Sequence, residues 1–62
     1  MKLTWRELNR VLVTLTEAEV LAMLDRERTN ERRVVVLERL HQRYNVLRVS
    51  RERIELLREA AK

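Results

Sequence analysis

Residues 31–61 read ERRVVVLERLHQRYNVLRVSRERIELLREAA, and this stretch decides the fold. It contains neither Gly nor Pro, and its apolar residues recur every three or four positions, which is the period of an α-helix. Val34, Val35 and Val36 are three β-branched residues in a row, but they lie within the helical period and no turn residues flank them. The sequence therefore predicts one long helix over about residues 31–60, about 45 Å long, with Thr29-Asn30 capping its start.

Two short helices are predicted before the long one. Thr4 with Glu7, and Thr16 with Glu19, have the spacing of a capping box, in which a Thr hydroxyl and a Glu carboxylate satisfy backbone amides at a helix start. These motifs predict helices over about residues 5–14 and 17–28. The side chains expected to pack against the first half of the long helix, with Trp5 as an anchor of the core, are Trp5, Leu8, Leu12, Val20, Leu21 and Leu24.

Composition limits the class of protein. The chain has 62 residues, no cysteine and 39% charged residues, and no apolar run approaches the roughly twenty residues that a membrane span needs. Disulfides, thiolate zinc sites and a membrane-embedded protein are therefore not expected. We predict a single all-α domain over residues 1–62, soluble and cytoplasmic, with two short helices packed on one long C-terminal helix.

The predicted long helix is too long for the two short helices to cover all of it. Apolar side chains in its second half would be left exposed, which soluble monomers avoid, and burying a Leu or Ile side chain is worth about 1.5–3 kcal/mol. We therefore expect a homodimeric helical bundle with antiparallel long helices, in which the arginine edge of one chain lies beside the glutamate edge of the other. The predicted interface residues are Tyr44, Leu47, Ile54, Leu57 and Ala61.

The sequence contains no recognisable catalytic or metal-binding group. His41 is the only histidine, and although Glu38 and His41 have the spacing of half a di-metal site, Glu38 falls on the polar side of the helix. One histidine and the distant Asp25 do not make a catalytic triad. We expect a protein that is not an enzyme and that needs no metal or cofactor.

Positive charge is concentrated in the C-terminal part of the chain. The formal net charge is +4, and most of the basic residues are arginines that follow residue 25. One edge of the predicted long helix carries Arg32, Arg39, Arg43 and Arg53. Arginine rows bind carboxylates of proteins and phosphates of nucleic acids. The leading hypothesis is a regulatory adaptor that binds a protein partner through this edge, and the alternative is DNA or RNA binding.

Several stretches carry a resemblance to a known group of proteins. They are residues 3–8 (LTWREL), Leu12, residues 15–16, Glu19, residues 40–44 (LHQRY) and residues 51–53 (RER). In these stretches the chain resembles small helical proteins encoded by tailed bacteriophages and prophages. The resemblance implies an accessory protein that acts in a bacterial cell by binding a host or phage macromolecule, and it implies no site residues.

Overall fold

The structure is a computed structural model that describes residues 4–61, so residues 1–3 and 62 of the predicted domain lie outside the described range. It contains helix α1 (Trp5–Leu12), helix α2 (Glu17–Thr29) and helix α3 (Val34–Ala61). No strand occurs between residues 4 and 61. The prediction of an all-α fold with two short helices and one long C-terminal helix is confirmed. The molecule measures 46 × 22 × 16 Å, and α3 accounts for its elongated shape.

The threonine caps predicted for α1 and α2 are present, and the reciprocal glutamate hydrogen bond of a capping box is present at α2. The Thr4 hydroxyl accepts a hydrogen bond from the Glu7 amide at 3.1 Å. At α2 the capping box is complete, because the Glu19 amide donates to Thr16 Oγ1 at 3.2 Å and the Thr16 amide donates to Glu19 Oε1 at 2.8 Å. The two helices begin where the local sequence predicts because each cap lies within one turn of the residues that it satisfies.

The end of α1 comes earlier than predicted, at Leu12 instead of about residue 14. Val13 is the C-cap, and both the amide and the hydroxyl of Thr14 donate to the Val11 carbonyl, at 2.9 and 2.7 Å. A threonine hydroxyl that bonds to a nearby carbonyl competes with helix continuation, which explains the early end.

The predicted start of the long helix is wrong. Thr29 is the last residue of α2, and its hydroxyl donates to the carbonyls of Asp25 and Arg26, so it closes α2 instead of opening α3. Arg32 has a left-handed backbone (φ 55°), and its amide donates to the Glu27 carbonyl at 2.9 Å. α3 therefore begins at Val34, three residues later than predicted.

A carboxylate from α2 caps α3. Glu27 Oε2 accepts the Arg33 amide at 2.9 Å, immediately before the first residue of α3. The Arg33 guanidinium binds the same carboxylate with two hydrogen bonds of 3.0 Å. Glu27 is almost fully buried, so this bidentate pair satisfies a charge inside the protein.

The core lies where all three helices meet. Its buried residues are Leu8, Leu12, Val20, Leu24 and Leu40. α2 runs antiparallel to α3, since Glu27 near the end of α2 pairs with Arg33 and Glu17 at its start pairs with Arg51. Six partly buried apolar side chains pack against these residues. The partly buried set is Leu15, Met23, Val36, Leu37, Tyr44 and Leu47.

Two residues predicted for the core are exposed. Trp5 is 51% exposed and Leu21 is 37% exposed, so the prediction of Trp5 as a buried anchor is wrong. Leu8 and Leu12 supply the buried positions of α1, and Trp5 is the first residue of this helix, one turn before Leu8. Leu21 follows the buried Val20 and is rotated by about 100° away from the core.

Candidate interaction surface

α3 extends beyond the body of the protein. The ion pair between Glu17 and Arg51 marks the place where α2 begins, and every described residue from 49 to 61 is exposed. We call residues 52–61 the overhang. Ten helical residues span about 15 Å, so about a third of α3 has no cover from its own chain.

The second half of α3 carries exposed apolar side chains, which we call the distal apolar residues. They are Val46, Val49, Ile54, Leu56 and Leu57, with exposed fractions between 48 and 64%. Ile54, Leu57 and Ala61 were predicted to be uncovered by the two short helices, and all three are exposed in the single chain. Their role as a dimer interface stays a prediction.

Tyr44 and Leu47 differ from the other predicted interface residues. Both are partly buried and pack against the core of their own chain. Leu15, in the turn between α1 and α2, belongs to the same packed group, so the cover reaches further along α3 than the lengths of the two short helices imply. Tyr44 and Leu47 are thus partly covered by their own chain, and their assignment to an interface between chains stays a prediction.

α3 has a second apolar side that the sequence analysis did not identify. At 100° per residue, Val49 points in the direction opposite to the buried Leu40, and Val46 and Leu56 lie on the same outer side. The signal was present in the sequence, since the apolar residues at positions 46, 49, 56 and 60 are three, seven and four positions apart, which places them on one side of a helix. It was missed because the neighbouring stripe that faces the core has the same spacing.

A shallow groove lies on this outer side. It is lined by Asn45, Val46, Val49, Ser50 and Arg53. Four of these residues, 46, 49, 50 and 53, have the i, i+3, i+4, i+7 spacing of the hole that receives a side chain from a facing helix in a coiled coil. We call this feature the outer groove.

The predicted arginine edge does not form a continuous row. Arg32 lies in the turn before α3, where its Nε donates to the Arg28 carbonyl at 3.1 Å. Arg39 Nε donates to Asn9 Oδ1 at 2.6 Å, and Arg43 Nε donates to the Leu12 carbonyl at 3.3 Å. Two of the four arginines thus attach α1 to α3.

Arg53, the fourth residue of that edge, lines the outer groove. Arg53 therefore shares a surface with the apolar residues Val46 and Val49. The geometry reassigns it from a charged edge to an apolar surface.

A second pair of arginines connects α2 to α3. The hydrogen bonds that Arg33 donates to Glu27 raise the pKa of Arg33, and those that Arg51 donates to Glu17 and then to Glu55 raise the pKa of Arg51. Arg51 Nε and Nη2 reach the two Glu17 oxygens at 2.8 and 3.2 Å. These contacts hold the two ends of α2 against α3.

The described residues were also examined for a metal site and for a helix that could span a membrane. Within residues 4–61 no three His, Cys, Asp or Glu side chains come together as a metal site. His41 is exposed, and its Nδ1 lies 3.4 Å from Asn45 Nδ2. None of the three described helices combines the length and the apolar character that crossing a membrane requires.

The chain was compared with protein-family models, with curated proteins and with solved structures. None of the three comparisons finds a match.

Proposed function

We propose that this chain is a non-enzymatic helical interaction module that acts by binding another polypeptide through the distal apolar residues of α3. The observation that carries the proposal is the overhang, where Ile54, Leu56 and Leu57 are each more than half exposed. Clustered apolar side chains of this kind mark interaction surfaces in soluble proteins.

The energy available at this surface is substantial for so small a protein. Complete burial of a Leu or Ile side chain stabilises by about 1.5–3 kcal/mol. The three large side chains of the overhang are half to two-thirds exposed, so covering them would release about half of that amount for each. A domain of this size buries only about 60% of the surface of its unfolded chain, which makes the additional burial important.

A protein surface fits the overhang better than nucleic acid does. Glu52, Glu55 and Glu59 outnumber Arg53 and Arg58 between residues 52 and 61, so the overhang is not a basic surface. Nucleic-acid binding depends on cationic contacts to phosphates. Arg39 and Arg43, which the nucleic-acid hypothesis requires, already donate hydrogen bonds to α1.

A regulatory role is part of the same proposal. The resemblance to phage-encoded proteins implies a host or phage macromolecule as the target, and the present proposal takes that target to be a protein. Binding at the overhang would leave the three-helix body unchanged, because residues 52–61 take no part in the core.

The proposal is tested by capture of proteins from a bacterial lysate. Ile54→Glu combined with Leu57→Glu is expected to abolish capture, because two carboxylates would then be desolvated on binding. Val34→Glu is the matched control, since Val34 is 65% exposed at the opposite end of α3. Equal loss in the control, or retention in the double variant, would contradict the proposed surface.

A mobility-shift series with duplex DNA and RNA distinguishes binding of a polypeptide from the alternative, binding of nucleic acid. If the chain binds a polypeptide as proposed, we expect no salt-sensitive binding to either nucleic acid. Binding that weakens steeply with salt and is reduced by Arg39→Ala with Arg43→Ala would instead support a nucleic-acid-binding function.

A further inference from the structure

We infer that the polypeptide bound by α3 is an acidic amphipathic helix, and that it lies along one side of α3 that carries arginines and apolar residues but no carboxylate. This partner rests on the proposed function and deepens it, because it gives a chemistry to the polypeptide that covers the exposed part of α3. The side in question is centred on Val46, and it lies between the contacts with α1 and the outer side that carries Leu56.

This side of α3 has no acidic residue over the whole length of the helix. At 100° per residue, no Asp or Glu of α3 (Val34–Ala61) lies within about 60° of Val46. We call it the basic stripe, and it includes Arg39, Arg43, Val46, Ser50, Arg53 and Leu57. The overhang is not basic as a whole, but Glu52, Glu55 and Glu59 lie about 120° or more from Val46. Its carboxylates therefore belong to other sides of the helix.

The arginines of the basic stripe have no carboxylate partner within residues 4–61. Arg39 and Arg43 donate their Nε hydrogen bonds to a side-chain amide and a backbone carbonyl of α1, at 2.6 and 3.3 Å. In the described part of the chain Arg53 makes neither a hydrogen bond nor an ion pair. By contrast Arg51, on another side of α3, binds two glutamates. The positive charge of the stripe is thus uncompensated within the chain, and carboxylates of a partner would compensate it.

The apolar members of the stripe select a polypeptide helix among anionic partners. Val46 is 51% exposed and Leu57 is 64% exposed, and Arg53 lies between them in the sequence. A phosphate backbone would pair with Arg53 and leave both apolar side chains in water, whereas a helix with an apolar row beside its carboxylates would cover all three. Residues 46, 50 and 53 also line the outer groove, whose spacing receives a side chain from a facing helix. From Val46 to Leu57 the stripe is about 16 Å long, which about three turns of a partner helix match.

A second copy of the chain does not supply the missing carboxylates. A two-fold axis brings the same surface of both copies together, so the basic stripe of one copy would meet the basic stripe of the other. The glutamates of the second copy would stay on the far sides of its own α3. The expectation that an arginine edge lies beside a glutamate edge therefore fails for a symmetric pair joined through this stripe.

The first test is a titration of the full chain with two synthetic peptides of about 21 residues, each with three heptads and leucine at the a and d positions. The flanking positions are glutamates in one peptide and lysines in the other. Fluorescence anisotropy is expected to show binding of the acidic peptide and none of the basic peptide. Ion pairs at the edge of the contact are screened by salt, so binding should weaken as the ionic strength rises. Amide chemical-shift changes in the isotope-labelled chain should follow the stripe over residues 46–57.

The second test reverses one charge of the stripe. Arg53→Glu is expected to raise the dissociation constant of the acidic peptide about tenfold or more, and to create binding of the basic peptide. Arg58→Glu is the matched control, because it makes the same change in net charge at an exposed position about 140° around the helix from Arg53. The control should change the dissociation constant by less than about threefold. Circular dichroism shows whether each variant keeps its helices.

The outcomes separate the possible occupants. Lack of binding by the acidic peptide at low salt, or equal loss of affinity in the two variants, would overturn the inference. Binding to vesicles that contain phosphatidylglycerol, or a wild-type dimer that excludes the acidic peptide, would assign the stripe to lipid or to a second copy if Arg53→Glu abolishes it. Lysate capture that depends on Ile54 and Leu57 but not on Arg53 would reject the acidic helix and leave the proposed function standing.

Discussion

Arg32 shows how a single backbone conformation sets the geometry of the fold. Among residues 4–61 it is the position with a positive φ, 55°, and it forms the turn that separates α2 from α3. Any residue with a Cβ atom is strained in this region, whereas Gly is not.

Replacing Arg32 with Gly should raise the free energy of unfolding by about 0.5–1 kcal/mol, because it removes the strain between Cβ and the backbone. Urea denaturation measures the change. Arg26→Gly, inside α2, is the control and should lower stability by about 1 kcal/mol, the usual cost of Gly in a helix. Destabilisation by both substitutions would show that the turn does not depend on the left-handed backbone.

Glu19 couples the start of α2 to pH. Hydrogen bonds from the Thr16 backbone amide, and then from its side chain, lower the pKa of Glu19 below its ordinary value. A lowered folded-state pKa means that the ionised carboxylate stabilises the fold above the unfolded-state pKa, and that this contribution is lost as the pH falls through the folded-state pKa.

Glu19→Gln retains a hydrogen-bond acceptor and removes the titration. The stability of the wild type should exceed that of this variant near neutral pH, and the difference should close under acidic conditions below the folded-state pKa of Glu19. Thermal unfolding of both proteins at several pH values measures it. A difference that is constant with pH would mean that the charge of Glu19 does not contribute to the cap.

At the scale of the elements, α3 is one helix with two environments. Leu47 packs against the core, whereas Leu57, ten residues later on the overhang, is 64% exposed. The regular spacing of these residues in the sequence does not distinguish them, because both belong to the same apolar stripe.

The two leucines should respond differently to truncation of their side chains. Leu47→Ala should lower the free energy of unfolding by about 1–3 kcal/mol, since it removes packed atoms from the edge of the core. Leu57→Ala should change it by less than about 0.5 kcal/mol in dilute solution, where the chain is not associated. Chemical denaturation at low protein concentration measures both, and equal losses would contradict the boundary drawn at Arg51.

The whole molecule divides into a three-helix body and an overhang. The ion pairs of Glu27 with Arg33 and of Glu17 with Arg51 hold the two ends of α2 to α3, and the buried core residues all lie before Asn45. Residues 52–61 contribute no buried core residue, and they are the part of α3 that we propose as a binding surface.

A chain that ends at Arg51 should therefore keep its body folded and lose its capacity to associate. The helical circular dichroism signal should fall only by the share of the removed residues, and sedimentation should report a monomer at all concentrations. Unfolding of the truncated chain would show that the overhang stabilises the body, and would contradict the division proposed here.

Patterns in the sequence predicted the elements well where the determining contacts are local. The Thr16 and Glu19 capping box, the apolar period of α3 and the mismatch in helix length all follow from residues within a few positions of one another. The start of α3 could not be predicted in this way, because the carboxylate that caps it belongs to Glu27 of the preceding helix. Glu27 reaches the Arg33 amide only because of the way in which α2 packs in the folded protein. The candidate surface was predicted in part, with Ile54 and Leu57 found and Val49 and Leu56 missed.

The sequence by itself determined the class of fold, the number of helices and the excess length of the third, because helix formation follows from period, caps and the absence of Gly and Pro. Only the tertiary structure decided that Trp5 is exposed, that Leu47 is covered and that Arg39 and Arg43 attach α1 to α3. These outcomes depend on where the helices lie against one another, and burial is a property of that arrangement rather than of any single helix.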